Sequence, residues 1–62
     1  MRLLLIEDEK KTAAYLAEGL RASGFIVTIA YDGQEGLFLA QEHAFDLIIL
    51  DVMLPWAVIC FN

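Results

Sequence analysis

Apolar positions along the chain follow two rhythms. Three short, mostly apolar runs, LLLI at 3–6, FIVTIA at 25–30 and LIIL at 47–50, are separated by stretches in which apolar residues recur every three or four positions. A short aliphatic run bounded by polar residues suits a strand covered on both faces, whereas the longer period suits an amphipathic helix. The pattern predicts β-α-β-α-β.

In KKTAAYLAEGLRASG, Ala13, Leu16, Ala17 and Leu20 share one helical face, and Gly24 stands where a left-handed residue would end the helix. This predicts a helix over 10–23. Asp32 with Glu35 three residues later has capping-box spacing, and Leu37, Ala40 and Ala44 continue on one face, predicting a second helix over 33–43. Thr28 interrupts an apolar, β-branched run and assigns the second strand to a less covered edge. The third strand, 46–51, is apolar on both faces. Such alternation implies right-handed crossovers and a parallel sheet with helices on its faces.

The first strand runs into Glu7, Asp8 and Glu9, and the third runs into Asp51. In a parallel sheet those ends share one edge. With strand order 2-1-3 the switch point, where ligands bind in open α/β sheets, falls between strands 1 and 3, so Asp8 and Asp51 are expected to face each other. Clustered carboxylates repel, so the group must take up a proton or hold a cation. Hard oxygen donors suit Mg²⁺, which usually takes one or two carboxylates and shares its coordination with a phosphate. A carboxylate beside such an ion can become an aspartyl phosphate. The plainer alternative is that Asp51 only caps a strand.

Composition narrows the function classes. The 62 residues contain no linker, which implies one domain at most, and a chain of this size buries only roughly 60% of its unfolded surface. Stability should be marginal without a partner. The net charge of −5, nine acidic residues against four basic, makes nucleic acid an unsuitable direct partner. The lone Cys60 fits a reducing cytoplasm, and LLLI is too short for a signal peptide or a membrane span.

The segments LLLIEDE, DGQEGL and FDLIILDVMLP closely resemble the receiver domain of bacterial two-component response regulators, especially those of winged-helix transcription factors. The resemblance covers residues 1–55 and implies the first half of a flavodoxin-like α/β fold. By position, it makes Asp51 the phospho-acceptor, Asp8 a direct Mg²⁺ ligand and Glu7 its acidic neighbour, which often acts through water. Met53 would complete the metal site through its backbone carbonyl, and Pro55 matches the proline of the following loop. The implied partner is a sensor histidine kinase, and the implied role is that of a phospho-acceptor module, not an enzyme.

Family members continue into a third helix and two further strands with their helices. Their fourth-strand hydroxyl residue, fifth-strand lysine and switch aromatic have no counterpart in these 62 residues, nor does a DNA-binding domain. Residues 56–62, WAVICFN, depart from the family pattern and are expected to form a separate tail. Trp56, Val58, Ile59 and Phe61 would cover apolar surface. The alternative function is a truncated, non-catalytic receiver fragment. Either way the outer edge of strand 3 is expected to support homo-oligomers. Lys10 and Lys11 are expected in a solvated first turn, and His43 as a solvated helix end.

Overall fold

The computed structural model describes residues 1–51. They form β1 (Arg2–Glu7), α1 (Lys10–Ala22), β2 (Ile26–Ala30), α2 (Gly33–Glu42) and β3 (Leu47–Asp51). The sheet is parallel with order β2-β1-β3. Among the described residues β2 is an edge strand, as Thr28 suggested. Residues 56–62, Met53 and Pro55 lie outside the described residues.

The central strand β1 separates two apolar layers because successive side chains point to opposite faces. Leu3 and Leu5 join Ala17 and Val27, with Leu16, Leu20, Phe25, Ile29, Leu47 and Ile49 packed around them. Leu4 and Ile6 join Ala30, with Leu39, Ala40, Phe45, Ile48 and Leu50. One helix therefore covers each face. Leu3, Leu4 and Leu5 are fully buried, each burial contributing about 1.5–3 kcal/mol relative to exposure.

Local signals fix the helix ends. Gly24 is left-handed at φ 97°, the Phe25 N–H donates to the Leu20 carbonyl and the Gly24 N–H to the Arg21 carbonyl, which is a Schellman closure. Helix α1 ends there, with Ser23 as its cap rather than its last turn. At α2 the Asp32 carboxylate accepts the Glu35 N–H at 2.7 Å, while the Glu35 carboxylate accepts the N–H of Tyr31 at 2.8 Å, one residue before the cap. Asp46 precedes β3 and anchors it: its side chain accepts the Arg2 N–H, and its own N–H donates to the Arg2 carbonyl, each at 2.8 Å. The Arg21 guanidinium donates to the Val27 carbonyl on β2 at 2.8 Å.

The expected face of α2 holds at Ala40 but not at Leu37 or Ala44. Leu37 is 60% exposed and Ala44 is exposed beyond the helix end, whereas Gly36 is buried and Leu39 and Ala40 pack on the sheet. The reason is the close seat of Gly36 on Ile6: a Cβ there would collide with Ile6 Cδ1 and come within 2.8 Å of Cγ1. A glycine adds no signal to an apolar pattern, so the periodicity pointed to its neighbour. Gly19 on α1 has nothing within 4 Å of the same virtual atom. Gly19→Ala should therefore stabilise the chain by about 0.8–1 kcal/mol through helix propensity. Gly36→Ala should lose stability by about 1–3 kcal/mol through overpacking. Urea midpoints of the two variants should move in opposite directions.

Candidate functional site at the carboxyl edge of the sheet

The β1–β3 ladder runs from Leu3 opposite Leu47 to Glu7 opposite Asp51, so both strands end at the same level with an acidic residue. This alignment follows from the Asp46–Arg2 anchor and from the alternation of aliphatic residues into the two layers, since a one-residue slip would invert every side chain of β3. Glu7, not Asp8, is the residue paired with Asp51. Asp8 comes next, beyond the strand end, and is exposed. Sequence spacing identified the acids but could not distinguish which one shares the register with Asp51.

Glu7 is 3% exposed because it ends the central strand, which is covered on both sides. A buried carboxylate is costly unless hydrogen-bonded. Its Oε1 accepts the Glu9 N–H at 3.0 Å, which also fixes the turn leading into α1. Glu9 is the N-cap residue of α1, with extended backbone and no side-chain cap bond. The strand thus delivers one sequestered acid and one open acid in succession.

These donors fit Mg²⁺ by chemistry. Asp8 is an exposed carboxylate and Glu7 a buried one that accepts the Glu9 N–H, and hard oxygen donors of this type suit that ion. Asp51 belongs to the same edge through its backbone register. Among the described residues no group of three or more His, Cys, Asp or Glu side chains converges to hold a metal. The carbonyl of Met53, assigned to the site by resemblance, lies outside those residues.

Two neighbours of the acids carry no motif. Lys10 Nζ lies over the ring of Tyr31, 5.6 Å from its centroid, within cation–π range. Lys10 is exposed, as expected, but its stem leads to an aromatic ring. No periodic or spacing signal joins residues 21 positions apart on a helix start and a strand end. His43 is the exposed C-cap of α2, and its ring meets Phe45 edge-on at 6.3 Å. A groove of about 400 Å³ along α1, lined by residues including Tyr15, Leu16, Gly19 and Leu20, includes none of the edge acids.

A parallel sheet of order 2-1-3, helices on both faces and acidic strand ends at the switch point define a doubly wound α/β protein with an acidic edge. Residues 3–57 match the response regulator receiver domain model, and the chain belongs to that family. It is 54% identical over 55 residues to the transcriptional regulatory protein CusR of Escherichia coli K12, an alignment covering 89% of this chain and 24% of CusR. It is 51% identical over 63 residues to the transcriptional activator protein IrlR of Burkholderia pseudomallei, covering 95% of this chain and 28% of IrlR. The chain thus spans about a quarter of these relatives' length. The fold also resembles the solved receiver domain of the Francisella response regulator 1452, with TM-score 0.81 and 33% identity over 92% of this chain and 47% of that one. Among the described residues no helix is long and apolar enough to cross a membrane.

Proposed function

We propose that the chain is a phospho-acceptor module of a two-component system, taking a phosphoryl group from a sensor histidine kinase onto Asp51. The observation supporting this reading is the register that ends β1 and β3 together, with Glu7 paired to Asp51 and Asp8 adjacent. A carboxylate oxygen of Asp51 attacks phosphorus, the donor's P–N bond breaks, and the nitrogen leaves with its electron pair. Glu7, Asp8, Asp51 and the carbonyl of Met53 would hold Mg²⁺, which when bound offsets negative charge on the phosphoryl oxygens. The module accepts and holds the group rather than turning over a substrate. Its place of action is the cytoplasm, in keeping with the single cysteine, and its acidic balance opposes direct nucleic-acid binding. Self-association through the outer edge of β3 belongs to the same proposal.

The test uses acetyl phosphate, a small donor that removes dependence on any particular kinase. With Mg²⁺, intact-mass measurement should show one added phosphoryl group, reversed by hydroxylamine as an acyl phosphate would be. No added mass under any Mg²⁺ concentration would favour a receiver fragment without phosphoryl chemistry.

A further inference from the structure

We propose that Tyr31 is a positioning residue for the acidic edge: it holds the Lys10 ammonium away from Asp8, keeping that carboxylate open to a divalent cation. The inference rests on the metal-binding reading above. Lys10 opens α1, where the helix dipole disfavours a cation, and the first turn contains no acidic residue. The nearest acids in the chain are Glu7, Asp8 and Glu9. A free lysine there would fold back onto a carboxylate.

Instead its Nζ sits over Tyr31. The register pairs Ile6 with Ala30, so Tyr31, the next residue, stands at the carboxyl end of β2 beside the end of β1. Both partners spring from backbone fixed by a carboxylate. Glu7 accepts the N–H of Glu9, immediately before Lys10, and Glu35 accepts the N–H of Tyr31 itself. Tyr31 is 39% exposed, open enough to receive the ammonium from the solvent side. Two anchored backbone points thus lie beside the end of β1, and the cation–π contact joins them.

The experiment is Mg²⁺ titration calorimetry on the 62-residue chain and four variants, with circular dichroism confirming that each is folded. Tyr31→Leu should weaken Mg²⁺ binding about threefold, the scale of an exposed charge pair, because the released ammonium competes for the carboxylates. Tyr31→Phe keeps the ring face and should match the parent. Lys10→Gln should bind Mg²⁺ at least as tightly as the parent, and adding it to Tyr31→Leu should restore the Lys10→Gln value. Weakening that persists in the double variant, or a Tyr31→Leu chain equal to the parent, overturns the assignment to Tyr31 while leaving the metal site standing. A parent chain that takes up no Mg²⁺ overturns the metal site and the role of Tyr31 together.

Discussion

Asp51→Asn should abolish phosphorylation by acetyl phosphate and weaken Mg²⁺ binding at least about tenfold. The amide cannot act as the attacking carboxylate, so no acyl phosphate forms at residue 51. The same change removes one negative charge from the metal's surroundings, and the attraction between unit charges about 4 Å apart near a protein surface is on the order of 4 kcal/mol. About a third of that already reaches the 1.4 kcal/mol that corresponds to tenfold. Asp8→Asn should produce a comparable loss of Mg²⁺ affinity but leave the acceptor chemically intact, so its phosphorylation should recover when Mg²⁺ is raised. Mass spectrometry and calorimetry on the same samples separate the two. A persistent phosphoryl adduct on the Asp51→Asn chain would place the acceptor elsewhere, and unchanged Mg²⁺ titration would remove Asp51 from the metal site.

The second large effect concerns association. Among the described residues β3 pairs only with β1, which leaves its other edge as a row of backbone donors and acceptors. Leu47, Ile48, Ile49 and Leu50 are only half-buried although they belong to both apolar layers, and Leu37 and Phe38 of α2 are about 60% exposed. An open hydrophobic strand is a template for another chain, and two-fold pairing would bury it symmetrically. Sedimentation of the 62-residue chain should show a dimer or larger species that grows with concentration, and deletion of residues 56–62 should preserve it. A monomer at high concentration that unfolds on that deletion would assign the covering role to the tail. Since the net charge is −5, self-repulsion opposes assembly, and added salt should favour the dimer.

The element order, the helix caps and the acidic strand ends were legible in the chain because their causes are local. Gly24 ends α1 by its left-handed backbone, Asp32 starts α2 by accepting the Glu35 N–H, and four aliphatic residues in a row need cover on both faces wherever they sit. Ala13, Leu16, Ala17 and Leu20 face the sheet as their spacing required. The motif residues around Glu7, Asp8 and Asp51 were legible for the same reason, since strand ends and turns are written in short stretches.

Three features were decided only by tertiary structure. Gly36, rather than Leu37, meets the sheet because Ile6 comes too close for any side chain, a fact about two elements 30 residues apart. Glu7, rather than Asp8, pairs with Asp51 because the Asp46–Arg2 anchor and the two apolar layers set the register of β3. Lys10 meets Tyr31 because β1 and β2 lie side by side and bring a helix start next to a strand end. Periodicity reports which residues want burial, but the partner that covers them, and the level at which two strands stop, depend on contacts between distant segments that no local pattern encodes.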